Sequence, residues 1–180
     1  MQTRAYALLS WLVVTAGAAV ALKAADRVPA LLAGTPHGAR SYRTVSEAER
    51  ATGVRLWLPA SLPSDVDWPP FRIDAWPGPP VSVALRANAT SESRERLVIV
   101  QSIGTPTQPP SVLLEPLQAL LVTHVPVGRR AGVLTRGLEP SGRLVHDLAW
   151  DAGARRVTIR YAGPVEELLQ LAAGLERNGQ

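Results

Sequence analysis

The pattern of apolar and polar positions separates an uncharged N-terminal run from a longer region of short, mixed elements. The run extends from Ala5 to Leu22 without a charged side chain, and Arg4 precedes it. In helical geometry it spans about 27 Å, close to the hydrocarbon thickness of a bilayer. Ala19 and Ala21 also have the spacing of a signal-peptide cleavage site. The pattern predicts a transmembrane anchor or a secretory signal over residues 1–24 and leaves the choice open.

Proline and glycine then interrupt the chain at positions 29, 34, 36 and 38. This composition is typical of a linker, which we assign to residues 25–40. Residues 41–177 have the pattern of one α+β domain, and we find no internal repeat or second domain in them. The predicted organisation is therefore an anchor or signal, a linker and a single extracytoplasmic domain.

Local signals at the start of the domain predict a helix followed by a strand. Thr44 and Glu47 have the spacing of a capping box, and Gly53 provides a helix end. Apolar side chains then occupy every second position from Val54 to Leu58, which predicts a half-buried strand that ends at Pro59.

Three further strands and one short helix are predicted in the middle of the chain. Alternation favours strands from Phe71 to Ala75 and from Val81 to Leu85. Residues Leu97 to Val100 are apolar on both faces, as in a central strand. We predict a loop from Gly104 to Pro110 and a short helix within Leu113 to Leu121, limited by a proline.

The C-terminal part has the strongest periodicity. Two strand-like runs, Leu144 to Trp150 and Arg155 to Tyr161, flank a short hairpin connection. Pro164 suits the first position of a helix, and an apolar stripe follows at helical spacing. The predicted fold class is α+β: an antiparallel sheet, open or curved into a half barrel, covered on one face by helices and preceded by an N-terminal transmembrane or signal helix.

Composition narrows the function classes. The chain has no cysteine, which excludes disulfides, thiol catalysis and cysteine-bound zinc. The net charge is +4, but the arginines are scattered and aromatic residues make up only 5%. Nucleic-acid binders concentrate basic charge in a stripe or patch, so we expect no nucleic-acid partner.

Candidate catalytic and metal-binding groups are sparse. His37, His124 and His146 show no metal-ligand spacing, and His146 with Asp147 would point to opposite faces of a strand. Asp65 and its neighbour Asp67 fit turn capping better than a cation site. We therefore expect no catalytic residue, no cofactor and no metal.

Three tryptophans, Trp57, Trp68 and Trp76, lie close together in sequence beside prolines. Such rings either close the open end of a small sheet or line a groove for a ligand. We take Trp57, Trp68 and Trp76 as the candidate binding surface.

Two stretches together carry a family resemblance. The first runs from Tyr42-Arg43-Thr44-Val45-Ser46-Glu47-Ala48 through Gly53 to Leu58-Pro59 and Leu62-Pro63. The second combines Leu148-Ala149-Trp150, Tyr161, Glu166-Glu167-Leu168-Leu169 and Ala172-Ala173-Gly174-Leu175. They resemble a bacterial extracytoplasmic domain of unknown function that follows the transmembrane helix of anti-sigma-factor-like proteins. The likeness is continuous only at the two ends of the domain.

That resemblance implies a lipoprotein-carrier-like sheet-and-helix fold and a sensory or partner-binding role, and it brings no catalytic residues. We expect a non-enzymatic extracytoplasmic domain that binds an unidentified protein or lipid-like ligand and contacts the membrane through residues 5–22. It would be membrane-anchored, or secreted after signal cleavage. The alternative is a structural or assembly component of the cell envelope with no ligand, which would self-associate through an exposed sheet edge.

Overall fold

The computed structural model describes residues 38–76, 78–104 and 113–178, with side chains described as far as Leu175. The expected anchor or signal at residues 1–24 and most of the linker lie outside these residues. Within the described ranges, no helix has the length and apolar character needed to cross a membrane.

The described chain is mostly one antiparallel sheet of eight strands, accompanied by two helices. The strands are β1 (Arg40–Tyr42), β2 (Arg72–Trp76), β3 (Val81–Ala89), β4 (Glu92–Ile103), β5 (Gln118–Val127), β6 (Arg130–Leu138), β7 (Leu144–Ala152) and β8 (Arg155–Tyr161). The helices are α1 (Val45–Thr52) and α2 (Val165–Asn178). Spatial order in the sheet is β1-β2-β3-β4-β8-β7-β6-β5. The sheet therefore consists of two four-stranded meanders that join where β4 pairs with β8.

Local signals determine α1 as the sequence predicts. The Thr44 hydroxyl accepts a hydrogen bond from the backbone N–H of Glu47 at 3.2 Å, and the Glu47 carboxylate accepts one from the Arg43 N–H. At the other end Gly53 adopts a φ of 70° and donates to the Glu49 carbonyl. A side chain with a Cβ is strained at that φ, so glycine suits this helix end.

The centre of the sheet is apolar on both faces. Residues Leu97 to Val100 of β4 are each at most 1% exposed, which confirms the predicted central strand. The strands predicted at residues 71–75, 81–85, 144–150 and 155–161 are also confirmed, with bounds that differ by a few residues. The register places Val98 and Val100 on one face, and Leu97 and Ile99 on the other.

The two faces of the sheet have different chemistry. One face, here called the helix face, carries the main apolar cluster and packs against both helices, with Ala48 of α1 and Leu168 of α2 fully buried. The opposite face, here called the polar face, carries ion pairs and a smaller cluster of apolar side chains. That cluster contains Ala84, Val98, Val100, Leu113 and Leu114.

The strand predicted from Val54 to Leu58 is wrong, because this segment belongs to no strand in the described structure. The buried side chain of Gln101 takes the place of a neighbouring strand. Its amide oxygen accepts from the Trp57 N–H at 2.9 Å, and its amide nitrogen donates to the Trp57 carbonyl at 2.7 Å. One side chain thus satisfies backbone groups that a sheet ladder would otherwise pair.

The short helix predicted within Leu113 to Leu121 is also wrong. Residues 113–117, here called the crossing segment, lie over the polar face, and β5 begins at Gln118. Residues Gln118–Val127 are uncharged and lack strong periodicity, so only their pairing with β6 decides that they form a strand. The end of the crossing segment and the start of β5 lie very close to the backbone of β6. A Cβ on Gly137 would lie 2.8 Å from the Gln118 carbonyl oxygen and 3.1 Å from the Leu117 Cβ.

The packing of α2 predicts a clear difference between its two sides. Leu168→Ala removes a fully buried side chain from the main cluster and should lower the free energy of unfolding by about 2–5 kcal/mol. Gln170→Ala, on the exposed side of the same helix, should change it by less than about 0.5 kcal/mol. Urea denaturation followed by tryptophan fluorescence measures both, and equal effects would contradict the assigned packing.

Candidate functional site

The three tryptophans proposed as one binding surface are divided between two faces of the sheet. Trp57 and Trp68 pack against the main cluster of the helix face, whereas Trp76 packs against the smaller cluster of the polar face. All three rings are half-buried. They therefore do not form one continuous aromatic patch.

Two of the three rings, Trp57 and Trp76, also have local contacts that account for their positions. The Arg155 guanidinium lies over the Trp57 ring, 4.5 Å from its centroid, and donates to the Arg55 carbonyl. Trp76 packs against two glycines: a Cβ on Gly78 would lie 2.7 Å from its ring nitrogen, and one on Gly38 would lie 3.3 Å from the ring. These contacts fix the rings within the fold.

His37 lies outside the described residues, and the other histidines and aspartates singled out from the sequence are dispersed. His124 is exposed on β5, while the His146 ring nitrogen Nδ1 lies 3.1 Å from the Gly163 carbonyl oxygen. Asp67 is exposed and donates its backbone N–H to the Asn88 carbonyl. In the part of the chain that the structure describes, no three side chains of metal-binding type come together.

One carboxylate pair does meet a hydroxyl, at Tyr161. The phenol lies within hydrogen-bonding distance of Asp65, at 2.9 Å, and of Glu167, and the Arg96 guanidinium pairs with Asp65 and lies 5.2 Å from the ring centroid. Burial, followed by the two carboxylates, raises the pKa of Tyr161 above its ordinary value. A protonated phenol is a hydrogen-bond donor, so this cluster ties the loop before β2 and the start of α2 to β8.

Two arginines hold the crossing segment on the polar face. Arg86 of β3 donates to the Leu113 carbonyl at 2.6 Å, and Arg160 of β8 donates to the Glu115 carbonyl at 2.8 Å. Arg160 is only 5% exposed and also forms a two-pronged pair with Asp147, with both distances 2.8 Å. A buried guanidinium is tolerated when carboxylates and carbonyls satisfy its donors, as they do here.

A groove of about 340 Å³ lies between the crossing segment and strands β6 to β8. Its lining is Leu114, Glu115, Pro116, Val133, Thr135, Asp147, Ala149, Arg156, Thr158 and Arg160. Arg160 and Asp147 pair with each other, and Arg156 lies 3.4 Å from an Asp151 oxygen. Arg160, Asp147 and Arg156 are thus engaged with protein partners, so we interpret the groove as part of the structural framework.

The most exposed large apolar side chains of the described residues lie on β5. Leu120, Leu121 and Val122 are 55%, 58% and 56% exposed, whereas most other apolar side chains of the described sheet are buried. β5 is the last strand of the sheet, and within the described residues no strand pairs with its outer side. All ten of its residues are uncharged. The opposite edge, β1, has only three residues.

A β-bulge marks one end of this edge. Ala119 pairs with Gly137 and Leu121 with Arg136, so Leu120 is an extra residue in β5. The helix side of the strand is anchored, because Val125 and Val127 belong to the main cluster and α2 contacts β5. The exposed side chains are therefore presented by a fixed strand.

Comparisons with known proteins give no assignment for this site: no protein-family model, no curated protein and no solved structure matches the chain.

Sequence reasoning missed the edge of β5, although one signal in the chain points to it. Between Pro116 and Pro126 no residue carries a charge. Edge strands usually carry charge or proline, so this run resembles an interior strand. Only the strand order reveals that the same run lies at the border of the sheet.

The ion-pair network predicts a specific acid sensitivity. Burial alone would raise the pKa of Glu139, but its hydrogen bonds with Arg143, at 2.7 and 2.9 Å, and the charges of Arg143 and Arg160 hold that pKa below its ordinary value of 4.5. A carboxyl group whose pKa is lowered by folding stabilises the folded chain above the unfolded pKa, and this contribution disappears as the pH falls through the folded pKa.

Glu139→Gln should therefore lower the free energy of unfolding at pH 7 by about 1–3 kcal/mol, and the difference should shrink as the pH falls through the folded pKa of Glu139. The exposed Glu92→Gln is the matched control and should change little at either pH. Urea denaturation between pH 2.5 and 7 measures both variants. A Glu139→Gln deficit that stays constant across the whole pH range would show that the carboxylate charge is not its cause.

Proposed function

We propose that this domain is a non-enzymatic protein-binding module that takes up an extended partner segment along the outer edge of β5. The observation that carries the proposal is the run of three adjacent apolar side chains, Leu120 to Val122, each more than half exposed on a strand whose outer edge pairs with none of the described residues. Strand addition joins backbone hydrogen bonds to alternating side-chain contacts, and this edge offers both.

The chemistry of the edge favours an uncharged, apolar partner segment. Natural edge strands are protected by lysine, inward-pointing charge or very short length, which prevent association. β5 has ten residues and no charge, and only its bulge and Pro126 interrupt it. The tryptophan surface is not part of this proposal, since its rings contact opposite faces of the sheet.

Peptide display tests strand addition without requiring that the natural partner be identified. Phage-displayed ten-residue peptides are selected against the full chain, and enrichment of alternating apolar, β-prone sequences is expected. Leu121→Lys places a charge in the edge and should weaken the selected peptides at least tenfold, a loss of about 1.4 kcal/mol.

Phe71→Lys is the matched control, because Phe71 is 54% exposed and precedes β2 at the other side of the sheet. It should leave peptide binding unchanged. Circular dichroism verifies that both variants keep the sheet. Absence of enriched peptides, or equal loss in both variants, would refute strand addition at β5.

We further propose that the domain works outside the cytoplasm, either anchored through residues 5–22 or released after signal cleavage. The support is the uncharged run from Ala5 to Leu22 that follows Arg4. Its length matches that of a bilayer-spanning helix, and the run also has the features of a signal peptide.

Fusion of alkaline phosphatase to the C-terminus tests this location in a bacterial host, because the enzyme becomes active only in a compartment where its disulfides form. The fusion should be active, and deletion of residues 5–22 should abolish its activity. A C-terminal fusion of a reporter that folds only in the cytoplasm serves as the reciprocal control. Full phosphatase activity after the deletion would contradict an export role for the run.

A further inference from the structure

We infer that the segment received by β5 is β5 of a second copy of this chain, in an antiparallel pair centred on Thr123. The inference rests on the proposed function, since it requires that β5 accept a strand. It names the partner and the register, which strand addition alone leaves open. The pairing depends on which backbone groups of β5 face outward.

The turn between β5 and β6 determines those groups. Val127 pairs with Arg130 across the two-residue turn of Gly128 and Arg129. In such a hairpin the flanking pair exchanges both backbone hydrogen bonds, and the bonded pairs recur at every second residue. Val125 and Thr123 therefore bond to β6, while the backbone groups of His124 and Val122 point away from the sheet.

Both ends of the outward-facing edge are blocked. Pro126 follows the same alternation and faces outward, but proline has no N–H to donate. At the other end the bulge at Leu120 breaks the alternation, because two residues of β5 there oppose one residue of β6. Only Val122 and His124 retain complete outward donors and acceptors in regular geometry.

Two-fold symmetry then selects one register. An isologous antiparallel pair that uses both residues in both copies places Val122 opposite His124 of the second copy, and Thr123 opposite Thr123. A pair centred on Val122 would instead set His124 against the bulged Leu120 and lose regular hydrogen bonds. The selected register sets Leu121 against Val125 and Leu120 against Pro126 of the second copy.

The side chains are compatible with this self-pairing. No charged residue lies within β5, so two copies of a chain with net charge +4 meet there without directly opposed like charges. Like charges directly opposite would be destabilising, whereas Thr–Thr and apolar cross-strand pairs are favourable. The pairing also covers Leu120, Leu121 and Val122, the most exposed apolar run of the described sheet.

The assembly closes at two copies. An isologous interface uses the same edge on both partners, so neither copy retains a free β5. Within the described residues, the edge that remains on each copy is β1, which has three residues and contacts α1. The inferred product is a dimer with one sheet that continues through both copies.

Cysteine cross-linking tests the register, because the full chain contains no cysteine of its own. Across the inferred interface Thr123 forms a non-hydrogen-bonded pair, with a Cα–Cα separation of about 4.5 Å that falls within the range for disulfides. Thr123→Cys, kept in mild detergent and exposed to a gentle oxidant, should run mostly as a covalent dimer on a non-reducing gel.

Leu121→Cys is the register control, since the two copies of residue 121 would lie about 13 Å apart along antiparallel strands. Alone it should cross-link at least tenfold more slowly than Thr123→Cys, but a mixture with Val125→Cys should give the mixed dimer. Phe71→Cys reports random collision of an exposed site away from β5. Adding Leu121→Lys to Thr123→Cys should abolish the cross-link.

Each outcome separates this inference from the function on which it rests. If peptides select the β5 edge but Thr123→Cys cross-links no faster than Phe71→Cys, the second copy is excluded as partner and strand addition stands. If Leu121→Lys changes neither peptide binding nor cross-linking, both strand addition at β5 and the second copy as its partner are refuted. Equal cross-linking of Thr123→Cys and Leu121→Cys would overturn the register centred on Thr123.

Discussion

The ladder between β4 and β8 is the interaction on which the rest of the structure depends. It joins two meanders that are otherwise separate in sequence, and both strands are buried at their centres, where Leu97 to Val100 faces Thr158 to Tyr161. Because these strands are buried on both faces of the sheet, their pairing removes apolar surface from water on each side. Both helices pack against the face that the ladder completes.

The β4–β8 ladder also explains why β5 lies at an edge. Since β8 pairs with β4, the second meander starts with β5 at the far side of the sheet, and the crossing segment before β5 lies over the polar face. Arg86 and Arg160 stabilise this passage by donating to carbonyls of the crossing segment, and carboxylates offset the cost of burying their charge. The exposed border of the sheet is thus a consequence of its topology.

That border combines exposure with rigidity, which is what a binding edge requires. The inward side chains Val125 and Val127 pack in the main cluster beneath α2, while the outward backbone groups of neighbouring residues stay unused within the described structure. A strand held in its binding conformation loses little conformational entropy when a partner strand is added. The bulge and Pro126 limit the length of the usable edge, and so determine its centre.

The sequence by itself determined the elements whose signals are local. The cap at Thr44, the glycine at position 53, the C-terminal hairpin and the apolar stripe of α2 each depend on residues within a few positions of one another, and the structure has all four. Tertiary structure decided the remainder. Gln101, far away in sequence, replaces a strand beside Trp57, and pairing with β6 makes a strand that begins at Gln118, within the stretch where the sequence predicts a short helix. Strand order alone places an uncharged run at the edge, because a hydrophobic pattern records which residues avoid water but not which neighbour covers them.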